Sequence, residues 1–197
     1  MEKKTIIFLA EGFEEVEAVT PIDYLRRANI EVTIIAIGKE KAVKGSHGII
    51  LMADTTLEEM EQAGRLKSVF WDGAFIPGGM PGAANLAACT ALGNFFKEMA
   101  GAGKIIAAIC ASPAVFLAPL GLLEGKKFTC YPGMEKQICT VVHTTVHTGT
   151  WIAEKVVVDG NLVTGRGPGT AAVFALALIE LLAGKEAAKT LSNAALL

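Results

Sequence analysis

Four short strand-like stretches constrain this chain more than any other feature: residues 5–10, 30–37, 70–76 and 105–109, of which 6–10 and 105–109 are unbroken apolar runs. A strand with one wet face alternates apolar and polar side chains, whereas a continuous run suits a strand covered on both faces. Segments with helical spacing lie between these runs. Residues 13–29 carry Ala18, Ile22 and Leu25 three or four apart, with Arg26 and Arg27 at the C-terminal end where cations suit the helix dipole. Residues 57–63, 91–102 and 171–182 read as further helices, the last closed by Gly184. Strand and helix in alternation predict an α/β fold: an open, mostly parallel sheet between helical layers.

Other segments are less regular. Residues 39–51 predict a hairpin or edge strand, 125–130 and 139–142 short strands, and 185–191 a tail helix. Asp159-Gly160-Asn161, between residues 155–159 and 162–164, is a tight-turn signal for a hairpin. No linker, repeat or low-complexity stretch divides the 197 residues, so residues 1–197 read as a single domain.

Composition excludes several classes. With 52% apolar residues, 19% charged and a net charge of -2, the chain is neither disordered nor marked by a basic nucleic-acid footprint. The longest apolar run, residues 171–183, contains Glu180 and falls short of the ~20 residues that span a bilayer. Residues 5–10 are too short for a secretory signal and run into an acidic segment. Cys89, Cys110, Cys130 and Cys139 form no CxxC pair and no metal-ligand spacing, so the expectation is a reducing cytoplasm and no bound metal.

One junction carries chemistry. Cys110 follows the strand at 105–109, with small Ala108 and Ser112 two residues away on each side and Pro113 opening an apolar run. A nucleophile elbow needs small neighbours because the sharp strand-to-helix turn crowds its centre. A following helix would place its positive end at the sulfur and favour thiolate. Buried cysteines are common in cores, so this junction alone leaves the two readings even.

Ligands of open α/β sheets sit outside the carboxyl ends of the strands. That rule gathers Glu14, Glu15 and Glu17, the Pro77-Gly78-Gly79 turn and Cys110 at one rim. A thiolate there adds to an electrophilic carbon. Glycine amides, with that of Ala111, hold an oxyanion, and Glu17 shuttles protons. Glu14 and Glu15 alone need no function, since acids complement a helix start. Glu17 lies deeper, between Val16 and Ala18.

The other candidates are weaker. Gly165 to Gly169 lacks the lysine and hydroxyl of a phosphate loop and reads as a lead into the next helix. His143 and His147 have the spacing of a zinc helix without its general-base glutamate, which excludes zinc there. His47 falls in the polar hairpin and is expected to be exposed.

The segments Glu11-Gly12-Phe13-Glu14-Glu15-Val16-Glu17, Ile76-Pro77-Gly78-Gly79, Ala108-Ile109-Cys110-Ala111-Ser112-Pro113 and Gly165-Arg166-Gly167-Pro168-Gly169-Thr170 resemble, in order and spacing, the motifs of the ThiJ/PfpI superfamily. Within it the resemblance is to the branch of the parkinsonism-associated deglycase and its bacterial relatives. It covers residue 5 to about residue 184. It implies a flavodoxin-like three-layer sandwich, a homodimer, and a cofactor-independent glyoxalase or deglycase acting on small dicarbonyls or early glycation adducts. The alternative it carries is an oxidative-stress sensor or chaperone-like dimer without turnover.

By the same resemblance, Cys110 is the oxidation-prone nucleophile and Glu17 the carboxyl bonded to its sulfur. Gly78, Gly79 and Ala111 form the amide pocket. Tyr131 stands where a histidine often precedes proline, which puts a Cys–His base scheme in doubt. His47 stands where some relatives carry arginine, weakening anion binding there. Ala111 after the nucleophile argues against the peptidase branch, and the absence of a His-x-Glu pair argues against glutamine amidotransferases.

Overall fold

A computed structural model describes residues 2–139 and 149–197. In chain order it contains β1 (Lys4–Leu9), α1 (Glu15–Arg27), β2 (Glu31–Ala36), β3 (Ala42–Lys44), β4 (Ile50–Met52), β5 (Thr55–Thr56), α2 (Leu57–Gln62), β6 (Gly73–Ile76), α3 (Gly82–Ala87), α4 (Thr90–Gly101) and β7 (Ile105–Ile109). There follow β8 (Lys127–Phe128), α5 (Glu135–Cys139), β9 (Thr150–Trp151), β10 (Val156–Asp159), β11 (Leu162–Gly165), α6 (Ala171–Ala183) and α7 (Lys185–Ala194). Seven strands form one sheet in the order β10-β11-β7-β6-β1-β2-β5, parallel except for β10, which pairs antiparallel with β11. The fold is a flavodoxin-like α/β sandwich.

The continuous apolar runs of β1 and β7 are buried on both faces, as their patterning requires. In β1, Ile6 and Phe8 face one core and Ile7 and Leu9 the other, all fully buried. The first core stacks Phe8 on Phe95 at 5.6 Å between ring centres, and Phe96 on Phe116 at 5.0 Å, edge to face. The second is closed by Ala18, Ile22 and Leu25 of α1 and by Phe174 and Leu178 of α6. Each such large side chain contributes about 1.5–3 kcal/mol on burial. Losing either helical layer would therefore expose more apolar surface than the fold can tolerate.

Several segments depart from the sequence reading. Strand β6 is shorter than residues 70–76, because Ser68–Phe70 forms a 3₁₀ turn held by Glu98, whose Oε1 accepts the Ser68 N–H at 2.8 Å. Residues 82–87, rich in alanine and glycine, form α3, which sequence periodicity did not reveal. Cys139 ends the short helix α5 rather than opening a strand; the rest of that segment, with His143 and His147, lies outside the described residues. After Cys110 the chain makes only a five-residue π-type turn, Pro113–Leu117. The two hairpins, β3–β4 and β10–β11, form where the turn signals place them.

Registers bring the rim together. Ile76 of β6 pairs with Ala108 of β7. Gly78 and Cys110, each two residues further on, thus leave the sheet at the same level.

Candidate active site at the Cys110 elbow

Cys110 has φ 64°, the left-handed region that a side chain enters only at a cost of roughly 1–2 kcal/mol. Three hydrogen bonds hold it there. Its N–H donates to Gly165 O at 2.9 Å, its carbonyl accepts the Tyr131 N–H at 2.8 Å, and Ser112 Oγ donates to Pro77 O at 2.5 Å. The amides of Ala111 and Gly79 both point at the sulfur.

Glu17 is fully buried. Glu14 positions it by capping α1, its Oε2 accepting the Glu17 N–H at 2.7 Å. Glu17 Oε2 accepts the Gly78 N–H at 2.8 Å. Its Oε1 is buried with no N–H or O–H donor, and the Cys110 thiol is the remaining hydrogen-bond partner of this carboxyl. The amide of Gly78 is thus spent on the acid. The amide cradle over the sulfur is Gly79 and Ala111, a correction to the three-amide pocket inferred from sequence.

Burial pushes the Glu17 carboxyl up to about 7; Glu14 adds to the rise, while the Gly78 amide and the Cys110 thiol oppose it. Burial, then the charge and hydrogen bond of Glu17, push the Cys110 thiol up to about 12, against the two amides. Contrary to the low-pKa thiolate expected from sequence, Cys110 at this elbow is held as a thiol. The five-residue turn after Cys110 supplies too little aligned dipole to outweigh desolvation and a neighbouring carboxylate. Between these two values the pair shares one proton, and its titration belongs to both groups. A thiol beside a carboxylate can pass that proton over a single hydrogen bond as its sulfur attacks.

Glycine is required at two positions here. A Cβ on Gly78 would lie 2.6 Å from Cys110 Cβ and 2.8 Å from Glu17 Oε2. Gly79 has φ 87°, and a Cβ there would meet Glu14 N at 2.5 Å.

The remaining sequence candidates are Tyr131, His47 and Glu15. Tyr131 is bound to the elbow through its backbone and leaves its ring half exposed. His47 is exposed as expected, but its Nδ1 lies 2.9 Å from Glu15 Oε2. Glu15 is not a solvated first-turn acid. It is 4% exposed, and its oxygens accept the His47 N–H at 2.7 Å and the Ile49 N–H at 3.3 Å, with Ser46 Oγ at 3.3 Å. Burial opposes ionisation, but these donors, led by the His47 side chain, hold Glu15 down at about 2. The same pairing raises His47 above its ordinary value. The signal was in the sequence: Glu15, Ala18, Ile22 and Leu25 fall on one helical stripe, so Glu15 shares the buried face. Glu14, Glu15 and His47 bring possible ligand atoms within 4.8 Å of one another, but both oxygens of Glu15 are already committed to the 46–49 loop.

Comparison with known proteins finds relatives along most of the chain. The DJ-1/PfpI family profile matches residues 3–181. The chain is 39% identical over 187 residues to protein dj-1beta of Drosophila melanogaster, covering 94% of this chain and 92% of that protein. It is 31% identical to the glutathione-independent glyoxalase DJR-1.2 of Caenorhabditis elegans, over 96% of this chain and 94% of that one. The DJ-1 homologs A and B of Arabidopsis thaliana are each 40% identical, and the chain spans 47% and 40% of their lengths. Among solved structures, Drosophila DJ-1beta superposes with a TM-score of 0.88 at 36% identity, covering 100% of this chain and 99% of that one. Oxidized DJ-1 of Toxoplasma gondii gives 0.86 at 38% identity, with 98% of each chain covered. With a family match running from β1 into α6 and the strained cysteine in place at the strand end, the chain belongs to the DJ-1/PfpI family.

Proposed function

We propose that this chain is a cysteine enzyme that converts reactive dicarbonyls such as methylglyoxal to hydroxy acids, or releases them from early glycation adducts. One observation carries the reading: the Cys110 sulfur sits between the buried Glu17 carboxyl and the amides of Gly79 and Ala111. The name of the Caenorhabditis elegans relative, a glutathione-independent glyoxalase, supports it.

In this mechanism Glu17 takes the thiol proton as sulfur bonds to the aldehyde carbon. The two amides stabilise the developing oxyanion, which regains the proton as a hemithioacetal. Glu17, again a carboxylate, removes the hydrogen on that carbon and returns it to the adjacent one through an enediol, while the hydroxyl proton crosses between the two oxygens. The product is a thioester of lactate; water cleaves its C–S bond, releasing lactate and the thiol. The hydrogen shift is internal, so the reaction needs no cofactor. Tyr131, Glu14 and His47 are proposed as substrate contacts in this reading.

Methylglyoxal consumption by wild type, Cys110→Ser and Glu17→Gln tests the proposal. Loss of at least a hundredfold in both variants is expected. Undiminished turnover by Cys110→Ser overturns it.

A second reading is an oxidation-sensing or chaperone-like role, favoured by the same two amides, which would equally accept the oxygens of a sulfinate on Cys110. That the Toxoplasma gondii relative was solved in an oxidized form is consistent with it. It expects two added oxygens on Cys110 under mild peroxide, altered partner binding and no dicarbonyl turnover. The working unit in either case is proposed to be a homodimer in a reducing cytoplasm, without nucleic-acid or membrane partners. Exposed Val16, Val19, Ile49, Ile50 and Met52 support an interface on α1 and the β3–β4 hairpin. Among the described residues no helix is long and apolar enough to cross a membrane.

A further inference from the structure

A concavity opens at the carboxyl ends of β1 and β2, and neither Cys110 nor Glu17 lines it. It encloses about 370 Å³, within the range of small-ligand sites. Its floor is apolar: buried Leu9 and Val43 and half-buried Ile37. Its mouth carries charges of both signs, Glu11 and Glu40 against Lys39. None of the three makes an ion pair or side-chain hydrogen bond among the described residues, whereas the neighbouring Lys41 is tied to Glu59 at 3.1 Å. Asn85 of α3 closes one side; its Nδ2 donates to Glu11 O at 2.9 Å, which leaves its Oδ1 as an acceptor. A Cβ on Gly38 would meet nothing within 4 Å, so that side is open to an incoming molecule.

We infer that this cavity binds a small zwitterion with a short apolar body, of the class of a free α-amino acid. An isolated cation there meets the ammonium of Lys39, and an isolated anion meets two carboxylates. A molecule bearing an ammonium and a carboxylate pairs with both signs, while its apolar side chain covers Leu9, Ile37 and Val43. The position obeys the rule that ligands of parallel sheets lie beyond the strand ends. Continuing from the cavity wall, Gly12 accepts the Gly82 N–H at 3.2 Å, and the Glu14 N–H donates to Gly78 O at 3.0 Å. An occupied cavity is therefore connected by backbone to the turn that supplies the Gly79 amide.

Leucine, followed by backbone amide chemical shifts of the full chain, is the probe. Saturable shifts at residues 9–11 and 37–43 with a Kd near about 1 mM are expected. Isopentylamine and isovalerate, each carrying one of the two charges, should bind at least tenfold more weakly. Lys39→Ala should weaken leucine to a similar degree, and Ala42→Trp, on an exposed lining position, should abolish binding while leaving the fold intact. Cys110→Ser should bind leucine as wild type does, which separates this site from the dicarbonyl chemistry. No saturable shift in the wild type overturns the proposal. Equal binding of isopentylamine, or of leucine by Lys39→Ala, overturns the zwitterion assignment.

Discussion

Glu17 reaches from α1 to Gly78 on the other side of β1, accepting its amide N–H at 2.8 Å, and this bond joins the opening helix to the turn that faces Cys110. The glycine must be bare for the acid and the thiol to meet. Gly78→Ala would place a methyl against Cys110 Cβ, Glu17 Oε2 and Ile109 O, all within 3.0 Å. Backbone is among those neighbours, so the turn must shift. Expected outcomes are a loss of about 1–3 kcal/mol in urea unfolding and a fall of at least tenfold in methylglyoxal turnover.

Activity should rise with pH through the titration of Glu17, since attack needs its carboxylate to receive the thiol proton. With the carboxyl raised to about 7, kcat/KM is expected to climb across neutrality and level off in mild alkali. Glu17→Gln should lack this limb altogether. A pH–rate profile of the two proteins settles the point.

Stability should run the other way at the same residue. Because the folded carboxyl titrates near 7 and the unfolded one near 4.5, the native state binds the extra proton between these values. The favourable contribution is complete below about 4.5, declines as pH rises, and is gone above about 7. The difference is about 3 kcal/mol at most. Glu17→Gln is expected to be more stable than wild type at pH 8 and to show little of this slope in unfolding between pH 4 and 8.

Glu15 has the opposite sign. Its carboxylate, held near 2 by the 46–49 loop, stabilises the fold fully above about 4.5 and loses that contribution as pH falls toward 2. The raised His47 adds stability below its ordinary value of 6.5 that is lost as pH climbs past it. Glu15→Ala should cost about 2–4 kcal/mol and speed amide exchange at residues 46–49. Unchanged exchange there would show that the loop does not depend on this carboxylate.

Ser112→Ala removes the hydroxyl that Pro77 O accepts, leaving a buried carbonyl unpaired. About 1–3 kcal/mol should be lost. Cys110 should also become more readily alkylated, as the elbow loosens. Thermal unfolding and the rate of iodoacetamide labelling measure the two effects.

Much of this was determined by sequence alone. Continuous apolar runs at residues 6–10 and 105–109, with helical segments between the strands, point to a sheet covered on both faces, which buries both sides of residues 6–9. Small residues around Cys110 and glycines at 78 and 79 mark where a backbone can turn sharply, and the strand-end rule brings those loops to one rim. The tertiary structure decided what local pattern does not encode. Whether Glu15 is solvated or buried depends on a loop thirty residues away. Which amide faces the sulfur depends on the register of β6 against β7. The protonation of Cys110 and Glu17 depends on how much water their shared pocket admits. Local spacing reports which face a side chain occupies; desolvation and long-range partners, which set charge and reactivity, exist only once the chain has closed around them.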